Sequence, residues 1–143
     1  MLITASRFHR SCELSPGESG EAQALVLLEE LRRAFGLPGE ALADFRLAVV
    51  EACLNALEHG APPVQVMVTG QRQGSELRVV VEVVDHGPGF EPETVPRPEL
   101  PAKLASPRKR GWGLEIMRRL ADRVTVSSHP GQTRVKLVRV LRG

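Results

Sequence analysis

The 143-residue sequence predicts an α/β protein: a two-layer sandwich of one mixed, mostly antiparallel sheet with three helices on one face. Three observations carry this expectation. Residues 15–38 and 39–60 each repeat apolar side chains at a helical period. Residues 63–70 and 75–85 alternate or run in valine around a glycine-containing turn. The chain then closes on "RVTVSSHPGQTRVKLVRVL", two strand-like runs about a Pro-Gly turn.

Taken in order, "SRFHRSCEL" alternates loosely and reads as a first strand. "SPGESGEAQALVLLEELRRAFGLP" opens on turn residues, keeps a helical period and stops at Gly-x-Pro. In "GEALADFRLAVVEACLNALEHG" the period runs through Leu47, Val50, Leu54 and Leu57, the expected buried stripe, and Gly60, Pro62 and Pro63 end the helix. "PVQVMVTG" and "SELRVVVEVVD" read as a hairpin. Residues 91–110 are rich in proline and basic side chains and have no period, which predicts a long functional loop or lid. A short helix follows in "GWGLEIMRRLAD" before the two closing strands.

The length fits one domain, residues 1–143, and 42% hydrophobic content suffices for one continuous core. A formal charge of +2 is too weak a field to point to nucleic acid. Cys12 and Cys53 show neither metal-type nor redox-type spacing, which disfavours a zinc site or disulfide scaffold and suggests a reducing compartment. The N-terminus lacks a signal-peptide core, and no stretch approaches the ~20 apolar residues of a membrane span. A soluble cytoplasmic protein is expected.

Three stretches carry candidate chemistry. Glu51, Asn55 and His59 are four residues apart, so on a helix they form one polar stripe beside the apolar one. The same residues are also compatible with an ordinary solvated face, with His59 favoured by the helix dipole. Asp85 ends the alternation Val79, Val81, Val83, so it points toward the core, where an acid is costly without a partner. A carboxylate accepts hydrogen bonds, the exocyclic amine of adenine donates them, and Gly87 and Gly89 let the backbone pass close to a flat ring. A turn in which Asp85 caps local amides is the competing explanation. Gly111 and Gly113 precede or open a helix, where backbone amides favour an anion such as phosphate.

In this order and spacing, "EACLNALEHG", "VVDHGPGF" and "RGWGLEIM" resemble the three nucleotide-binding boxes of the GHKL ATPases, which include gyrase, MutL and histidine-kinase ATP-binding domains. Within that group they look most like the bacterial anti-sigma-factor serine/threonine kinases. The resemblance spans residues 7–141 and implies the Bergerat ATP-binding fold with ATP and Mg²⁺ as cofactors. It implies that Glu51 is the general base and that Asn55, in the same box as His59, is the metal ligand. Asp85 would read adenine in a pocket shaped by Gly87 and Gly89. Gly111, Gly113 and Leu114 of the third box would approach the phosphates, and Arg108, Lys109 or Arg110 in the lid would neutralise them. Thr133 is implied as a further contact, although the family's Gly-Thr appears here as "GQT" and its frequent aromatic after the first box as Ala61.

The partners implied are a sigma factor held inactive and a STAS-domain antagonist that is phosphorylated. A homodimer is implied as well, with no direct contact to nucleic acid or membrane. The alternative is a non-catalytic, ATP-gated protein-binding regulator. A detached sensor-kinase ATP domain is disfavoured because the short chain has no phosphoacceptor helix.

Overall fold

The computed structural model describes residues 6–17, 19–87 and 110–142, with the side chains of 110–112 excepted. The order is β1 (Arg7–Leu14), α1 (Gly20–Ala34), α2 (Ala43–His59), β2 (Val64–Gln73), β3 (Glu76–Asp85), α3 (Arg110–Leu120), β4 (Arg123–His129) and β5 (Gln132–Arg142). The five strands form one sheet in the order β1-β2-β3-β5-β4.

Every described pairing is antiparallel, which removes the parallel component expected of a mixed sheet. Connectivity explains why. Two successive helices separate β1 from β2, so the chain reverses three times and β2 returns beside β1 in the opposite sense. A single helix joins β3 to β4, which leaves those strands running in the same direction, as crossover connections do. They do not touch, because β5 folds back and inserts between them.

Alternation along the strands sorts the two faces. Val64, Val66 and Val68 of β2, Leu77, Val79, Val81 and Val83 of β3, and Val135 and Leu137 of β5 are buried against the helices. The helices answer with Ala24, Leu28 and Leu31 from α1, Phe45, Val49, Ala52 and Cys53 from α2, and Leu114 and Met117 from α3. Removing each large apolar side chain from water is worth about 1.5–3 kcal/mol, so this one cluster supplies the main driving force for folding. Burial pushes the Cys53 thiol far above its ordinary range, so it packs as a small neutral core residue.

The buried stripe of α2 differs from the expected one. Phe45, Ala48, Val49, Ala52, Cys53 and Ala56 face the sheet, while Leu47 is 56% exposed and Val50, Leu54 and Leu57 are only partly covered. Small side chains let α2 lie close to the valines beneath it, and the larger leucines are left on its outer side. The opposite face of the sheet carries exposed cross-strand pairs such as Glu82 with Arg134 at 3.2 Å and Glu76 with Arg142 at 3.4 Å. Pairs of this kind contribute little to stability.

Candidate functional site

The C-terminal ends of α2 and β3 and the first turn of α3 meet at one end of the sheet. Asn55 lies one turn after Glu51 on α2. It is buried, at 8% exposure, beside Ala52 and Ala56 at the margin of the packed face, whereas Glu51 is half-buried. Gly113 in α3 stands over Glu51: a Cβ built there would lie 3.6 Å from Glu51 Oε2. His59 ends α2 on the exposed side, with Nε2 4.0 Å from Glu58 Oε2, and lies at the edge of the arrangement.

Asp85 is the last residue of β3 and is 5% exposed. Its Oδ1 accepts the Gly87 amide at 2.8 Å, which leaves the second oxygen as an acceptor. The adjoining backbone is held by the His86 amide donating to Ala61 O at 2.9 Å and by a contact of His86 Nδ1 with Pro63 O at 2.8 Å. Two glycines make this closeness possible. A Cβ on Gly60 would fall on the Asp85 carboxylate and 2.6 Å from Ala56 O, and one on Gly87 would stand 2.8 Å from Gly60 Cα. Both substitutions would force backbone apart. Sequence reasoning assigned Gly60 only a helix-stopping role; its packing under Asp85 has no local signal, because it depends on a strand 25 residues further along.

Thr133 is the cross-strand partner of Asp85 on β5. It is 2% exposed, and its Oγ1 is buried with no hydrogen-bond partner among the described residues. A buried hydroxyl of this kind costs free energy until something pairs with it. Asp85 and Thr133 therefore place an acceptor and an unsatisfied donor-acceptor side by side, a set that fits the edge of a purine. Thr133→Val separates the two effects. It is expected to leave the ligand-free protein as stable or about 1 kcal/mol more stable, because it removes the orphan, and to weaken ATP binding by about tenfold. Thermal melting and calorimetry on the same samples check both signs.

Leu114 is buried in the core cluster, where it anchors the start of α3. Arg110 and Gly111 enter the description only as backbone of α3. Gly89, Arg108, Lys109 and the rest of the expected lid, residues 91–109, lie outside the described residues.

An antiparallel sheet backed by three helices matches the fold of GHKL-type ATPases. The chain belongs to the histidine kinase-like ATPase domain family, whose model matches residues 18–139. It is 32% identical over 94 residues to the anti-sigma F factors of Thermoanaerobacter sp. and Thermoanaerobacter pseudethanolicus, and 30% identical over 94 residues to that of Caldanaerobacter subterraneus subsp. tengcongensis. Each match covers 65% of this chain, and the chain spans 65% of the length of these relatives. In fold it is similar to the crystal structure of the RsbU and RsbW domains of Rv1364c from Mycobacterium tuberculosis, with a TM-score of 0.65 at 20% identity over 94% of this chain and 33% of that one. Family membership implies that the chain binds ATP. Among the described residues, no helix is long and apolar enough to cross a membrane.

Proposed function

We propose that the protein is an ATP-dependent protein-serine/threonine kinase that acts as an anti-sigma factor and phosphorylates a STAS-type antagonist. The observation that carries this reading is the pairing of Glu51 with Asn55, one helical turn apart, beneath the first turn of α3. Asp85 and Thr133 receive the adenine edge, and Gly60 and Gly87 keep side chains out of the pocket floor. Asn55 offers a carbonyl oxygen of the type Mg²⁺ prefers. A single amide oxygen is a small donor set, which suits an ion that arrives with the nucleotide's phosphates.

Bound Mg-ATP would supply its γ-phosphoryl group to the hydroxyl of a partner's serine or threonine, the bond to the β,γ-bridging oxygen breaking as ADP leaves. Glu51 accepts the proton of that hydroxyl, and the amides of the first turn of α3 hold negative charge on the phosphates, with Arg108, Lys109 or Arg110 adding to that charge neutralisation. A bound sigma factor is proposed from likeness to the anti-sigma F factors, a homodimer from the resemblance of the three boxes, and a single cytoplasmic domain over residues 1–143 from the length and cysteine usage of the sequence. The second reading, an ATP-gated binding module without transfer, is less favoured because such a module has no use for a carboxylate beside the metal ligand.

Incubation with Mg²⁺, γ-labelled ATP and a purified STAS-domain antagonist from the same organism is expected to place label on a serine or threonine of the antagonist. ATP binding and partner capture without any labelling would favour the second reading.

A further inference from the structure

At the end of the sheet away from Asp85, an open groove of about 1400 Å³ wraps the free edge of β1. Arg78, which lines it, is seven residues before Asp85 on β3, roughly 23 Å along the strand. Four arginines converge there from three elements: Arg7 and Arg10 of β1, Arg33 of α1 and Arg78 of β3. Glu30 is the one carboxylate in the lining. Arg10 is 3.8 Å from Glu30, and Arg33 is 3.4 Å from Glu29, but both arginines are more than half exposed, so these pairs exchange readily. Arg7 and Arg78 have no acidic partner among the described residues.

The backbone of β1 is open along the same groove except at His9 O, which accepts an exposed hydrogen bond from Arg10 Nη1 at 2.8 Å that an added strand would displace. Ser6 O accepts the Arg72 amide at 2.9 Å, so even-numbered residues of this strand bond to β2 while Arg7, His9, Ser11 and Glu13 turn their amides and carbonyls outward. Gln23 covers the far end, with Oε1 accepting the Ser15 amide at 2.6 Å and Nε2 donating to Glu13 O at 3.4 Å. Among the described residues no backbone–backbone bond reaches the outward groups of Arg7, His9 or Ser11.

Charged side chains commonly guard an edge strand against unwanted pairing. Guarding does not account for Arg33, which belongs to α1 yet lines this edge. A strand added here would place successive side chains on opposite faces. One set would meet Arg7 on the face without helices, and the other Arg10 and Arg33 beneath α1. A second copy paired through the same groove would set arginines against arginines.

We propose that this groove docks an extended acidic segment of a partner protein, added as a strand to the edge of β1. The recognition combines backbone hydrogen bonds from the edge with charge-assisted contacts on both faces. It is independent of the kinase reading, because the groove and the nucleotide site lie at opposite ends of the sheet.

The probe is a fluorescein-labelled octapeptide with four consecutive glutamates flanked by valine and threonine, titrated with the full chain and followed by anisotropy. Saturable binding that weakens with added salt is expected. Arg7→Glu with Arg33→Glu, or the milder Arg7→Gln with Arg33→Gln, should lower affinity by about tenfold or more. Ser11→Pro keeps every charge but removes an outward amide, a change an edge strand tolerates, and should also lower affinity. Unchanged melting and Mg-ATP binding establish that each variant is folded. Absence of peptide binding would overturn the proposal, as would equal binding by the arginine variants or by Ser11→Pro. Tighter binding of a short DNA duplex would assign the groove to nucleic acid instead. A wild-type dimer in sedimentation that Ser11→Pro dissolves would assign the edge to a second copy.

Discussion

Glu51→Gln is expected to leave Mg-ATP binding intact and to reduce phosphoryl transfer to the antagonist by about 10²-fold or more, the usual scale for a positioned base. Glutamine keeps the size and polarity of the side chain beside Gly113, so the packing of α2 on α3 survives. It cannot take the hydroxyl proton. Asn55→Ala is expected to fail differently: it removes the buried amide oxygen proposed to bind Mg²⁺ and leaves a void at the margin of the core, so the loss should appear first in magnesium-dependent nucleotide affinity. Phosphoryl transfer depends mainly on positioning and charge neutralisation, so a modest effect at Glu51 with a severe one at Asn55 is still compatible with a kinase. Transfer at the wild-type rate by both variants would reduce the pair to ordinary helix residues. Initial rates with γ-labelled ATP, set beside calorimetric affinities for the same preparations, distinguish the three outcomes.

The strands were legible because their burial pattern is a period of two. Val79, Val81 and Val83 point the same way as Asp85, and that parity alone locates the acid at the inner end of β3. Helix α2 was legible as a helix but not in its facing. Its apolar residues occupy nearly the whole circumference, and the buried set is mostly alanine and cysteine, which carry little pattern. Size pointed to Leu47, Val50, Leu54 and Leu57; close approach to the valine-lined sheet selected Ala48, Ala52 and Ala56 instead. Asn55 nevertheless falls at the margin of the buried face, because it borders the alanine stripe on one flank as it would have bordered the leucine stripe on another.

What joins distant segments had no local signature. Thr133 becomes the neighbour of Asp85 only because β5 inserts between β3 and β4, and no spacing within "GQT" announces that register. The same insertion turned an expected mixed sheet into an antiparallel one. Gly60 belongs to the same class: it looks like a terminator in sequence, and only its contact with Asp85 and Gly87 across α2 and β3 shows that the position has no room for a Cβ.

Asp85→Asn is expected to reduce ATP affinity by on the order of 10²-fold or more, and to do so through a single hydrogen-bond reversal. The aspartate has two acceptor oxygens, and Oδ1 is committed to the Gly87 amide at 2.8 Å. Asparagine has only one acceptor, and that oxygen must keep the Gly87 amide or leave a buried donor unpaired. The amide nitrogen is then forced into the place of the second carboxylate oxygen. A donor faces the donor amine of adenine, so both lose their partner on binding. Inosine triphosphate carries a carbonyl acceptor at the position of that amine, which makes it the diagnostic ligand. The wild-type protein should favour ATP over inosine triphosphate, and Asp85→Asn should narrow or invert that preference while melting at nearly the wild-type temperature, since the replacement has the same shape. Titration of both nucleotides into both proteins measures the four affinities. If Asp85→Asn binds ATP as tightly as the wild type and discriminates against inosine equally well, Asp85 does not read the base, and its bond to Gly87 is the whole of its role.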